Sequence, residues 1–274
     1  MRTIISLCAL VMLAPVSFAT TLIVDKNGGG QFRSIQPAID AASPNDTVKV
    51  WPETYTEQIS LNKSITLMGS GYENTIVTGS FNYTVTITSG WMQWFMISST
   101  GGAGVKISGG TLRNCVIMGC SGDGVYCNAV GGTGAALVAN CVVVNNNGFG
   151  INVDSPGLLT VVNCISRNNT SYGFEGYYNI LTISYSNGSR YYTAGNQGCI
   201  DQDPLFTSSS DFHIADGSPG WNTGQPSLSD PDGSRSDMGY FGGPDCPIYP
   251  VVTQIIISPS GTTINLSAKA RANY

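Results

Sequence analysis

The chain has 274 residues, of which 34 are Gly and 13 Tyr, while charged residues make up only 11% and the net charge is −5. Helical proteins need more Ala, Glu, Lys and Leu than this, whereas a mixture rich in Gly, Asn, Ser and Thr suits an all-β protein with many turns. The negative balance and the lack of any Lys/Arg cluster argue against nucleic acid and against an anionic membrane surface as partners.

The N-terminus reads as a secretory signal. Arg2 supplies the charge, Thr3 to Leu13 is a mostly apolar run, and Ser17-Phe18-Ala19 offers small residues for cleavage. Residues 1–19 are therefore expected to be removed, with the mature chain beginning near Thr20. The apolar run is too short to span a bilayer, and no later stretch is long and apolar enough to do so. The expectation is a secreted, extracellular or cell-surface protein with no membrane span after signal removal, acting as a monomer.

Further along, Ser34 stands where it can cap a short helix with Ile35, Ala38, Ile39 and Ala42 on one face. Thr47 to Trp51 alternates as a strand. A repeat then begins. Cys115 precedes Gly124, Cys141 precedes Gly150 and Cys164 precedes Gly173, always by the same nine steps; Phe95 and Gly104 form a fourth copy. The copies thus start at Phe95, Cys115, Cys141 and Cys164, at similar but unequal intervals. An apolar residue (Met92, Leu112, Val138, Val161) lies a few positions before each Cys or Phe, and a short alternating segment follows each Gly.

A period of roughly two dozen residues built from short strands points to a solenoid. Leucine-rich repeats share the length but need a Leu consensus and a helical segment, both missing. The expected fold is all-β: a right-handed parallel β-helix with an N-terminal helical cap and a C-terminal capping region, stacking like on like at roughly 4.8 Å per coil. Asn114, Asn140 and Asn163 fall at a one-residue corner that needs left-handed dihedrals, which Asn tolerates best after Gly. Their side-chain amides are expected to form a ladder that stops at Trp94. The connection from each Gly to the next Cys varies in length: Gly104 to Cys115 is the shortest, Gly124 to Cys141 the longest, and Gly150 to Cys164 lies between. Insertions such as Asn128 to Ala136 and Asp154 to Leu159 are therefore expected on one edge. Variable loops on a rigid scaffold are where binding resides.

Seven cysteines remain after the signal, and none forms a CxxC pair; His213 is the only histidine, so zinc is disfavoured. Cys115, Cys141 and Cys164 are expected to stack as core thiols, because parallel Cβ vectors disfavour a bond between them. Cys199 with Cys246 is the pairing favoured for a bridge.

The N-terminal segment resembles the cap of the pectate-lyase-like and pectin-methylesterase-like β-helix superfamily of secreted bacterial proteins. The matching residues are Gln36, Ala38 to Ala42, and Pro52, Thr54, Tyr55 and Glu57, with Glu53 in place of the usual Gly. Asp203 to Gly243 is similar to the C-terminal coil of such proteins. The resemblance covers about Thr21 to Gly243, so 20–243 is expected to be one β-helix domain and 244–274 a linker with a strand-rich tail. Within this region Asp230, Asp232 and Asp237 read either as a structural cap or as oxygen ligands to Ca²⁺, although the other ligands of an EF-hand loop are missing.

The outward residues of the strand after each Gly form a column of Thr86, Lys106, Tyr126, Asn152 and Glu175, flanked by Asp123 and Asp154. The resemblance to β-helix polysaccharide lyases implies that a sugar chain binds here, and the ring, amide and charges suit a polysaccharide or cell-surface glycan. Lyase chemistry needs a base and a cation, for which Lys106 and Arg113 are candidates, and glycosidase chemistry needs a carboxylate pair, for which Glu175 and Asp154 are candidates. The polygalacturonase-type motifs and the pectin-methylesterase set of paired Asp with Arg are absent. Polysaccharide binding is therefore favoured over lyase-type cleavage, and a non-catalytic adhesive or spacer solenoid is the alternative.

Overall fold

The computed structural model describes residues 18–128, 136–154, 158–176, 180–189 and 197–247, and the backbone of 250–260 and 263–272. Three parallel sheets of eight, seven and six strands run the length of the molecule. From Thr47 onward the chain visits them in the same order on every coil, eight to seven to six, so each strand pairs with its counterpart one coil earlier. This is the expected right-handed parallel β-helix, with about seven turns.

The repeat is one coil. Thr111–Arg113 lies in the eight-stranded sheet, Asn114 turns the corner, Val116–Met118 lies in the seven-stranded sheet, and Val125–Cys127 follows in the six-stranded sheet. Inward side chains stack coil upon coil: Val85, Val105, Val125 and Ile151 in one column, Met92, Leu112, Val138 and Val161 in another, all fully buried. Each Gly of the repeat is there because the core leaves no room for a Cβ. One on Gly124 would meet Val143 Cγ1 at 2.3 Å, and one on Gly150 would meet Ser166 Oγ at 1.9 Å.

Phe95, Cys115, Cys141 and Cys164 form the expected interior stack, and all seven described cysteines are free thiols. Burial pushes Cys115 up to about 12 and Cys141 well above its ordinary value. The thiols act as small apolar groups that also make weak contacts to carbonyls, such as Cys164 Sγ to Val162 O at 3.3 Å. The expected Cys199–Cys246 bridge is not formed. Cys199 packs against the interior of the solenoid, while Cys246 belongs to a separate apolar cluster outside it.

Asn114, Asn140 and Asn163 adopt φ of 41°, 49° and 54°, as the corner requires, and Trp94 takes the same place at 68°. Their amides do not form the expected ladder. Asn114 Nδ2 donates to the carbonyls of Tyr240 and Gly242 at 2.7 and 2.9 Å, and Asn140 Nδ2 to those of Asp237 and Gly239 at 3.2 and 3.4 Å. Asn163 Nδ2 donates to Ser236 Oγ at 3.0 Å, and Trp94 Nε1 to the Asp245 carbonyl at 2.9 Å. The amide ladder lies instead at the next turn, where Asn146 Nδ2 donates to Asn169 Oδ1 at 2.9 Å and Cys120 N to Asn146 Oδ1 at 3.0 Å.

The corner amides thus hold residues 236–245, which run back along the solenoid as a strap from the Asn163 coil to the Trp94 coil. Tyr240, Phe241 and Met238 of the strap, with Phe212 and Tyr72, cover Val116, Val142, Val144 and Ile165. The outer face of the seven-stranded sheet is therefore buried, which explains why Val142, Val143 and Val144 are apolar without alternation. The C-terminal region seals a flank as well as an end.

At the other end the helix Ile35–Ala41 buries Ile35, Ala38 and Ile39, as expected. Its cap is not the expected one: the Ser34 side chain makes no capping bond, and the N–H groups of Ile35 and Gln36 donate to the Glu57 carboxylate at 3.0 and 3.1 Å. The strand expected over Thr47–Trp51 is Thr47–Val50. Much of the two insertions and the signal through residue 17 lie outside the described residues. The described strands on either side of each insertion belong to the six-stranded sheet before it and the eight-stranded sheet after it. In the tail, Pro250–Ser260 and Thr263–Ala272 pair as an antiparallel hairpin.

Candidate functional site

Strand register places the predicted column in one line on the outer face of the six-stranded sheet. Ser60 pairs with Thr86, Thr86 with Lys106, Lys106 with Tyr126, Tyr126 with Asn152, and Asn152 with Glu175. Because side chains alternate along a strand, the same register that buries Val105 and Val125 turns Lys106 and Tyr126 outward.

A second line runs beside the first at the residue before each Gly. The N–H groups of Gly104, Gly124 and Gly150 donate to the carbonyls of Asp123, Phe149 and Tyr172, and Tyr83 pairs with Ala103, which aligns Tyr83, Ala103, Asp123, Phe149 and Tyr172. Sequence reasoning found only Asp123 of this line. The constant offset before the repeat Gly was the available signal.

The two lines are braced together around Tyr126. Its ring stacks on Tyr83 with centroids 5.9 Å apart and planes within 9°, and Lys106 Nζ lies 5.2 Å from the centre of the Tyr83 ring. The Tyr126 hydroxyl donates to Asp154 Oδ2 at 3.0 Å and accepts from Asn128 Nδ2 at 3.2 Å. The Asn128 bond pulls the phenol down, but partial burial with the Asp154 bond and charge outweighs it and leaves Tyr126 above its ordinary value. Asp123 accepts from the Phe149 N–H at 2.8 Å and from Asn152 Nδ2 at 2.9 Å. A second aromatic pair, Phe149 and Tyr172, continues the surface with centroids 6.5 Å apart. Between Tyr83, Asp123 and Tyr126 lies a shallow depression of about 340 Å³ floored by Gly102, Ala103 and Gly122.

The structure separates the candidate catalytic pairs. Arg113 is on the eight-stranded sheet, bonded to Gln93 and Asp245, so it does not share a face with Lys106. Asp154 leans back to the Tyr126 coil, while Glu175 stands one coil beyond Asn152 in the opposite direction. Both oxygens of Asp123 accept hydrogen bonds, which makes that carboxylate a brace for the surface.

Asp230, Asp232 and Asp237 are each engaged by hydrogen bonds from the chain itself. Asp230 is buried and accepts from the N–H groups of Asp237 and Gly243, Asp237 accepts from the N–H of Asn222, and Asp232 is exposed and bonded to Ser234. Among the described residues no group of three or more His, Cys, Asp or Glu is arranged to hold a metal ion. Asp230 orders the strap by accepting from the backbone amides of Asp237 and Gly243, and Asp237 of the strap is tied to the Asn222 amide. Burial pushes Asp230 up to about 6 and Asp237 up to about 7, opposed by those amides and reinforced by neighbouring carboxylate charge.

No protein-family model matches the chain. Pectinesterase 4 of Arabidopsis thaliana is 28% identical over 151 residues, which is 45% of this chain, and the match spans only a quarter (25%) of that relative's length. Among solved structures, the pectin methylesterase from carrot aligns over 69% of this chain and 66% of its own, with 12% identity and a TM-score of 0.44. PemA from Erwinia chrysanthemi aligns over 74% and 76%, with 11% identity and a TM-score of 0.40. At this distance no residue role transfers from them. The chain's own strand order defines what it is, a right-handed parallel β-helix carrying a rigid aromatic and polar surface on its six-stranded face.

Proposed function

We propose that this is an exported β-helix protein that binds a polysaccharide along its six-stranded face without cleaving it. The observation that carries the reading is the braced Tyr83–Tyr126 pair, extended by Phe149 and Tyr172. Flat rings held by stacking and, at Tyr126, by hydrogen bonds present apolar faces for pyranose rings at little entropic cost, and Asn152, Thr86 and Lys106 supply partners for sugar hydroxyls. Asp123 and Asp154 are engaged in bracing this surface, which supports binding over acid–base chemistry. Export is supported by the signal-like leader and by a first strand, Thr21–Val24, that starts just past the expected cleavage point.

Pectin, the polymer in the names of the similar proteins, is the first glycan to test. Asp123, Asp154 and Glu175 outnumber Lys106 on this surface, which favours neutral or esterified chains over free polyuronate. In affinity gels, retardation by methyl-esterified pectin that is lost in Tyr126→Ala is expected. The same incubations should release neither methanol nor unsaturated uronate. Absence of retardation by any polysaccharide of a broad panel sinks the binding reading, and product release overturns the non-catalytic part.

A further inference from the structure

A second groove lies on a different face. The outer residues of the eight-stranded sheet align as Thr66, Trp91, Thr111, Leu137, Thr160 and Thr182, each in register with the next. Gln225 and Leu228, with Pro244 and Asp245 of the strap, form a wall beside this line and enclose about 420 Å³. Trp91 is 49% exposed, yet its ring is held from one side by the Arg113 guanidinium 4.6 Å from its centre. Arg113 is itself fixed, with Nε donating to Gln93 Oε1 at 2.8 Å and Nη1 paired with Asp245. Trp91 also borders a smaller depression lined by Asn45, Ser64, Thr66 and Gly90.

We propose that this groove is a separate binding site for a neutral glycan chain lying parallel to the solenoid axis, with Trp91 as its stacking platform. The part of the indole that Arg113 leaves exposed is large, flat and preorganised, as a pyranose face requires. Hydroxyls of Thr111 and Thr160 stand two coils apart, roughly 10 Å at the strand spacing, and supply hydrogen-bond partners repeated along a polymer. Among the described residues lining the groove the charged groups are Arg113 and Asp245, which neutralise each other, so nothing there compensates a carboxylate on every sugar. The site shares no residue with the Tyr126 surface.

The test titrates the intact protein with cellohexaose and, in parallel, with an oligogalacturonate of equal length, following tryptophan emission and calorimetry. Cellohexaose should bind and oligogalacturonate should not. Trp91→Ala should weaken cellohexaose binding about tenfold or more, with Trp221→Ala, a change at an exposed tryptophan outside both surfaces, unchanged. Leu137→Arg, which fills the groove from an outward position, should do the same and guards against a folding defect in the first variant; far-UV circular dichroism checks both. Wild-type binding by both Trp91→Ala and Leu137→Arg, or no binding of cellohexaose at all, overturns the proposal. Loss of cellohexaose binding in Tyr126→Ala instead would assign the glycan to the six-stranded face and overturn it as well.

Discussion

Asn114 is the most informative single position in the structure. It combines a left-handed backbone (φ 41°) with two buried hydrogen bonds to the strap, at 2.7 and 2.9 Å. Replacing it with Gly removes both bonds but relieves the backbone, so the loss is about 1 kcal/mol per bond, or about 2 kcal/mol in all. Ala loses the same bonds and adds the left-handed penalty of about 1 kcal/mol, giving about 3 kcal/mol. Asp keeps the shape and the backbone preference, but its oxygens face the carbonyls of Tyr240 and Gly242 and cannot donate to them; with a buried carboxylate it should cost about 4 kcal/mol or more. The expected order of damage is therefore Gly, Ala, Asp. Urea unfolding of the three variants measures it, and limited proteolysis between residues 220 and 247 reports whether the strap is the part released. An Asp variant as stable as the Gly variant would refute the clasp role of this amide.

Asp237 gives a pH signature. Its folded value, about 7, lies above the ordinary 3.8, so the stability it contributes is present below about 3.8 and is lost as pH rises through about 7. Asp237→Asn should match the wild type near pH 4 and exceed it by about 2 kcal/mol at pH 8, roughly half of what 1.4 kcal/mol per unit gives for the whole shift; thermal denaturation across that range decides, and parallel profiles would contradict it. Glu57→Ala should destabilise the N-terminal cap by about 1 kcal/mol, whereas Ser34→Ala should change stability by less than about 0.5 kcal/mol, read as urea midpoints. Under native conditions Cys115, Cys141 and Cys164 should resist a thiol reagent at pH 8 and react only on unfolding, followed by colorimetric titration. Rapid native labelling of Cys141 would show that the interior stack is open.

What could be read in advance follows from how a solenoid stores information. The constant step from Cys115 to Gly124, repeated at Cys141 and Cys164, defined the coil, and the register of Lys106, Tyr126 and Asn152 then followed from counting alone. The same counting would have found Asn146 and Asn169, which are separated by the same interval as Cys141 and Cys164, and the line of Asp123, Phe149 and Tyr172. The strap was a different matter. Asn114 meets Tyr240, and Glu57 reaches back to Ile35, from segments with no period to count. Corner Asn residues look alike whether they bond to each other or to a chain lying over them. The aspartates suggested a cation because carboxylates in a turn resemble ligands, and only the amides of Asn222, Asp237 and Gly243 reveal what they hold.

The strap also changes how the molecule should respond to force. A bare stack of coils yields one rung at a time, because each rung touches only its neighbours. Here a single segment is tied to the coils of Trp94, Asn114, Asn140 and Asn163 at once. Pulled from its N-terminus, the protein should shed its first coils in small steps and then resist until the four clasped coils rupture together. The strap cannot dock before those coils exist, so it closes late in folding and converts a row of weakly coupled rungs into one mechanical block.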